Sequence, residues 1–309
     1  MIITLTPNPA LDLTYHLDSL KPGASHRAPA AQVRAGGKGL NVARVLHSQS
    51  YPVHAVIPVG GDPGQRLLED LQRSGIPFSC ITTTGLTRST TALVTPSETT
   101  NINEQGTALP TQTWQELTRL TLEVVAAHSG DGPVVLVCSG SWPPGSSPQV
   151  LTELIVSARA AGARTIIDAS GPQLIAAAQA GADILKPNQQ ELRAATGDDD
   201  PVRAARDLAA RGDASTVYVS LGADGLMRVP AQGPVLHARL SHALCGNTTG
   251  AGDAAVAALA SMLAQPCLDP AQTLRTATAW SAAAVLHPLA GEIQEPQALL
   301  ADITIEALG

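Results

Sequence analysis

RTIIDASGPQLIAAAQAGADILKPNQQE, residues 164–191, holds a strand, a helix and a second strand in one short stretch. RTIIDAS is a brief β-type apolar run that closes on polar residues. GPQLIAAAQAG has helical spacing between a glycine-proline start and a glycine stop. ADILKPN is a second apolar run, and it too ends in polar residues. Two such runs joined by a helix imply parallel strands, because parallel neighbours need a long crossover.

The same rhythm extends outward. IITLT (2–6), HAVIPVG (54–60), VVLVCSG (134–140) and TVYVSLG (216–222) read as further buried strands. GLNVARVLHS, GQRLLEDLQRSG, SPQVLTELIVSARAAG and DPVRAARDLAARG read as helices between them. This predicts an α/β fold, a mostly parallel sheet flanked by helices. Ligands in such folds gather at the carboxyl ends of the strands. The polar and glycine-rich segments TPNPALD, GGDPGQ, SGSWPPG, DASG, KPNQQE and SLGADG all follow strands. Residues 11–35 and 87–108 break the rhythm. They are turn-rich and lack a helical stripe, so we expect short antiparallel strands standing off the main sheet, as a lid or subunit contact. No linker or fixed-period repeat divides the 309 residues into independent domains.

Composition narrows the function classes. With 44% hydrophobic and 15% charged residues the chain buries a large core, and 2% aromatics make that core aliphatic. A net charge of -7 without a basic block argues against nucleic-acid binding. An anionic ligand must then rest on a few local cations and backbone N–H groups. Cys80, Cys138, Cys245 and Cys267 show no C-x-x-C spacing and are expected to be reduced core residues. The eight histidines show no ligand spacing for zinc. Trp114, Trp142 and Trp280 are expected to pack. The N-terminus lacks a basic n-region, and no run reaches the roughly 18 apolar residues of a membrane span. The expectation is a cytoplasmic protein without membrane or nucleic-acid partners.

CGNTTGAGDAAVAALA (245–260) carries the chemistry. Gly250, Gly252 and Ala255 fit a loose dinucleotide spelling. That reading lacks a good strand before it, its next acidic residue is Asp269, and the site lies late in the chain. The alternative is an anion hole: Gly250, Ala251 and Gly252 open a helix whose N–H groups and dipole face an anion. Asp253 beside it would accept a hydroxyl proton, and the helix N-terminus should keep its pKa low. This combination suits phosphoryl transfer to an alcohol; the plainer alternative is an early-turn acid. In RAGGKGLNVARVL (34–46), Lys38 opens a helix where the dipole disfavours a cation unless an anion joins it. Asn41 can donate and accept, as sugar hydroxyls require; the plainer alternative is a flexible loop with a solvated lysine.

KPNQQE supplies Lys186 and Asn188 for nucleotide phosphate and Glu191 for Mg²⁺ through water, or else an ordinary helix start. SLGADG is a strand end and tight turn that passes a nucleotide or simply makes a hairpin. Asp12 binds sugar hydroxyls or solvates a turn. Arg88 clamps a substrate phosphate or lies on the surface. Asp168 ends a strand at the right place for a site, with a capping role equally open.

Together TPNPALD, GGKGLNVARVL, SGSWPPG, KPNQQE, SLGADG and TTGAGDA, in this order, resemble the PfkB (ribokinase-like) carbohydrate kinases over essentially the whole chain. The opening and the GGKG-x-N segment look most like the 1-phosphofructokinase and tagatose-6-phosphate kinase branch. The resemblance implies a single three-layer α/β/α kinase domain with a small β-sheet lid, often used in dimerisation. It implies an ATP- and Mg²⁺-dependent kinase acting on a ketohexose phosphate. By motif match Asp253 is the base and Gly250, Ala251 and Gly252 the anion hole. Asp12, Gly37, Lys38, Asn41, Arg88 and Ser139 would contact the sugar phosphate, with Ser141 competing for the role of Ser139. Lys186, Asn188, Glu191, Ser220, Gly222 and Gly225 would serve ATP and Mg²⁺. Two departures stand out: Thr87-Arg88-Ser89-Thr90 replaces the branch's T-R-x-N, and Cys245-Gly246-Asn247 replaces an acidic or polar run. The rivals are a kinase of a free sugar or nucleoside, and a sensing protein on the same fold without turnover.

Overall fold

A computed structural model describes all residues except 131, 213, 214, 243, 288 and 309. The chain begins β1 (Ile2–Leu5), β2 (Ala10–His16), β3 (Gln32–Gly36), α1 (Lys38–Ser48), β4 (Val53–Val59) and α2 (Gly61–Ser74). It continues through β5 (Phe78–Thr82), β6 (Arg88–Val94), β7 (Thr99–Asn103), α3 (Thr111–His128), β8 (Val135–Ser139) and α4 (Pro148–Ala160). Then come β9 (Arg164–Asp168), α5 (Pro172–Gln179), β10 (Ile184–Leu185), α6 (Gln189–Thr196), α7 (Pro201–Ala209) and β11 (Thr216–Ser220). β12 (Leu226–Pro230), β13 (Val235–Leu240), α8 (Ala251–Leu263), α9 (Pro270–Val285) and β14 (Ile303–Leu308) complete it.

Ten strands form the main sheet in the order β14-β13-β12-β11-β10-β9-β8-β1-β4-β5. From β11 to β5 every neighbour is parallel, and β12, β13 and β14 add antiparallel strands at one edge. β1 and β8 are buried at every position, as expected of parallel strands covered on both faces. One face packs against α1, α2, α8 and α9, the other against α3 to α7. α8 is apolar all round except for Asp253 and Ser261 and is buried from Asp253 to Ser261, while its first residues, Ala251 and Gly252, are half-buried.

The residues that broke the rhythm form a separate four-stranded sheet, β3-β2-β6-β7. Its outer pairs are antiparallel, but the central pair β2–β6 is parallel, against the expectation of antiparallel strands throughout. The reason is topological. β2 and β6 both leave the same end of the main sheet and run outward together, which a reading of local turns does not reveal. Residues 17–31 carry no regular element. Among the described residues no helix is long and apolar enough to cross a membrane. Cys138 is buried as expected, whereas Cys245 and Cys267 are exposed.

Candidate active site

The carboxyl ends of β8, β9, β10 and β11 deliver Ser139, Asp168, Lys186 and Ser220 to one edge of the sheet. α1 and α8 start at that edge. Between them and the small sheet lies a cleft of about 380 Å³. Of the residues expected from sequence, Asp12, Gly37, Lys38, Asn41 and Arg88 line it, as do Lys186, Asn188, Ser220, Gly250, Gly252 and Asp253. Thr90, Asp168 and Thr249 complete the wall.

Asp253 stands in the first turn of α8, behind an N-cap glycine, Gly250, at φ 87. A side chain there would be strained in the left-handed region and pressed 3.0 Å from Ala290 Cα. The Ala251 N–H is taken by Thr248 O at 3.3 Å. Ala251 itself does not line the cleft, whereas Gly250 and Gly252 do. Asn41 Nδ2 donates to Asp253 Oδ2 at 2.8 Å and orients the carboxylate. The expected low pKa is not found. Burial pushes the Asp253 carboxyl up to about 7, and neighbouring Asp168 adds to the rise against Lys38, Asn41 and Lys186. A helix dipole cannot replace the water that burial excludes from this carboxyl.

Asp168 is fully buried and gathers two cations. Lys38 Nζ donates to its Oδ1 at 3.3 Å, and Lys186 Nζ lies 3.5 Å from the same oxygen. Burial alone would raise this carboxyl, but Lys186, Lys38 and the Ser139 hydroxyl outweigh it and hold it below the ordinary range. Ser139 Oγ donates to Asp168 Oδ2 at 3.0 Å, behind that carboxylate, and does not line the cleft. Ser141, its competitor, instead faces an adjoining cavity of about 570 Å³ with Asn8, Arg88 and Trp142. Lys38 also sits 3.9 Å from Glu191 Oε1, so its ammonium rests between the carboxylates of Asp168 and Glu191. Asp168 is the main reason its pKa is raised.

On the opposite wall, Asp12 accepts a short hydrogen bond from Thr90 Oγ1. Register sets them side by side, Asp12 against Thr90 in the parallel pair. Burial raises the Asp12 carboxyl, against the pull of Thr90, Arg88, Arg34 and Arg44. Gly36 makes room for it, since a Cβ there would fall 1.9 Å from Asp12 Oδ2. Arg88 Nε donates to Asn8 O and Nη1 to Glu104 O, each at 3.1 Å, which holds the guanidinium at the junction of the two cavities.

The residues expected from the resemblance to serve the nucleotide divide. Asn188 Oδ1 accepts from Glu191 N, and Glu191 Oε2 accepts from Asn188 N, a capping box at the start of α6. The helix start weighed for KPNQQE is therefore present: one Glu191 oxygen closes the helix and the other lies toward Lys38. Gly222 and Gly225 lie outside the cleft, in the hairpin between β11 and β12. Gly225 has a local cause, because a Cβ there would sit 2.1 Å from Ala238 O. Among the described residues no three His, Cys, Asp or Glu side chains gather as a metal cluster. Thr90 and Thr249 were not singled out as binding residues; the strand register of the small sheet is the signal that finds Thr90.

The model of the pfkB family of carbohydrate kinases matches residues 6–297. The chain belongs to that family. It is 38% identical over 299 residues to a 1-phosphofructokinase of Xanthomonas campestris, covering 90% of this chain and 89% of that one. A tagatose-6-phosphate kinase of Staphylococcus epidermidis is 29% identical over 300 residues, 95% of this chain and 94% of the other. Phosphofructokinase-2 from Escherichia coli in complex with fructose-6-phosphate superposes with a TM-score of 0.86 at 30% identity, over 97% of this chain and 98% of that one. The same Escherichia coli enzyme has a tetrameric inhibited form.

Proposed function

We propose that this kinase transfers the γ-phosphoryl group of ATP to a hydroxyl of a ketohexose phosphate, with Asp253 as the general base. One observation carries the reading: the Asp253 carboxylate, oriented by Asn41, shares a cleft with the N-terminus of α8 and with Asp12 and Arg88. The acceptor oxygen attacks the γ-phosphorus as its proton passes to Asp253. The bond from that phosphorus to the bridging oxygen breaks, and ADP leaves with the electron pair. The amides of Gly252 and Asp253, with Lys186 and Lys38, offset the negative charge of the phosphoryl group in flight. Asp12 and Asn41 hold sugar hydroxyls, and Arg88 reaches the resident phosphate of the acceptor. The relatives named above support a phosphorylated ketohexose as acceptor.

Mg²⁺ fits the donor end in a limited way. Glu191 Oε1 is outside the capping box, and such an ion takes most of its ligands from phosphate and water. Bound there, it would neutralise phosphate charge. The small sheet serves as a lid that excludes water. The exposed strand β7 at its edge is also a surface for a second copy of the chain. A reaction drawing on ATP and a phosphorylated sugar places the enzyme in the cytoplasm.

ATP consumption measured with fructose 1-phosphate, fructose 6-phosphate, tagatose 6-phosphate and the free sugars tests the reading. It predicts turnover with at least one phosphate and little with free sugars; equal turnover of a free sugar or a nucleoside would overturn it. Arg88→Ala should raise KM for the preferred phosphate about tenfold or more, the scale of a lost charge-assisted bond. KM for a free ketohexose should hardly change. A loss of the same size with both acceptors would remove Arg88 from the phosphate site.

A further inference from the structure

A cluster of charges joins the small sheet to the body of the protein beside the cleft. Arg34, on β3, makes a short ion pair with Glu292. These two residues come from opposite ends of the chain, and they wall a cavity of about 1010 Å³ beneath the small sheet. Glu292 Oε2 lies 3.2 Å from His287 Nε2, and the His287 ring contacts Leu289 N at 3.2 Å. Glu292 is thus held from its own segment as well as from the lid.

The residues just before Glu292 reach the catalytic groups. A Cβ on Gly291 would sit 3.1 Å from Asn41 Oδ1, so this backbone packs directly on the side chain that orients Asp253. Ala290 packs against Gly250, the N-cap of α8. On the lid side, Arg34 stands opposite Asp12 in the β2–β3 register. The root of β3 has its own anchor, because Asp70 accepts from Ala35 N and from Arg44, each at 2.9 Å. The lid strand therefore stays attached without Glu292. What Glu292 adds is a link from that strand to the residues bracing Asn41 and the anion hole.

We propose that Glu292 is a positioning residue which, through Arg34, makes the placement of the lid strand set the geometry of Asn41, Asp253 and the α8 N-terminus. The proposal rests on the kinase reading for its kinetic consequences, but not for its structural ones. Lid closure over an acceptor would pull on Arg34, and the segment Leu289–Glu292 carries that displacement to Asn41. Water, which does not draw the lid down, would meet a less well assembled base.

The test is a double-mutant cycle with Glu292→Gln, Arg34→Ala and their combination. Each single variant should lower kcat with the preferred sugar phosphate about tenfold, a usual size for coupling between sites, and the double should be no worse than the poorer single. Loss of coupling should also raise the share of ATP hydrolysed rather than transferred. Hydrogen exchange in the ligand-free protein gives a readout independent of turnover. Glu292→Gln should speed exchange at amides 252–254 as well as in β3. Multiplicative losses in the double variant, unchanged kcat in both singles, or faster exchange confined to β3 would each overturn the proposal. If the wild-type protein turns over no ketohexose phosphate, the functional reading falls and the exchange result alone decides this one.

Discussion

Asp253→Asn should lower kcat by about 10²–10⁴, the contribution expected of a general base, while nucleotide binding stays close to that of the wild type. Asparagine still accepts the hydrogen bond from Asn41, so the site keeps its shape and loses its proton acceptor. The raised pKa adds a pH signature. In the free enzyme, kcat/KM should rise with pH through an acid limb near 7, because only the ionised carboxylate accepts the proton. A profile flat down to pH 5 would contradict the assignment. The same shift acts on stability. A carboxyl whose pKa rises from 3.8 to about 7 on folding favours the fold below 3.8 and loses that advantage as pH climbs through 7. Above pH 7 the wild type carries the full burden of a buried ionised carboxylate. Asp253→Asn should therefore melt several degrees higher at pH 8, roughly 2–4 °C for each kcal/mol relieved, and lose that lead near pH 4. A catalytically dead variant that is more stable is not the outcome of a mere packing defect.

Asp168→Ala should be the most destabilising single change at the site, by about 3–5 kcal/mol, as when one partner of a buried ion pair is removed. Lys186, almost wholly buried, would be left without its carboxylate, and the Ser139 hydroxyl would lose its acceptor. Thermal unfolding at pH 7 should fall by about 10 °C. Because the Asp168 pKa is depressed in the fold, its stabilisation is complete above 3.8 and is lost as pH falls below that value. The gap between variant and wild type should close in acid. Asp168→Asn gives a second signature: removing this negative neighbour should move the Asp253 acid limb to lower pH. A limb that stays put would show that burial alone sets the Asp253 pKa.

Much of this was legible beforehand, for local reasons. Strands buried on both faces must be apolar at every position, so IITLT and VVLVCSG announced themselves and their alternation with helices gave the fold class. Gly250, Asp253, Lys38 and Asn41, which line one cleft, were readable because small residues at a helix start next to a carboxylate or a cation stand out locally. The capping box of α6 is written in N-Q-Q-E. Ser139 shows where such reading ends. Ser139 and Ser141 are two residues apart, and only the β8–β9 register shows that Ser139 faces Asp168 while Ser141 reaches the neighbouring cavity.

The sequence by itself determined the parallel α/β fold, the helix starts at Lys38 and Ala251, and the carboxylate in the first turn of one of them. Each depends on residues within a turn or a strand of one another. Only the tertiary structure decided that Asp168 gathers Lys38 and Lys186, that β2 and β6 run parallel, that Arg34 meets Glu292, and that burial pushes the Asp253 carboxyl up. Those properties depend on strand order and on how much water a packed helix excludes, and both are set by contacts between residues far apart in the chain.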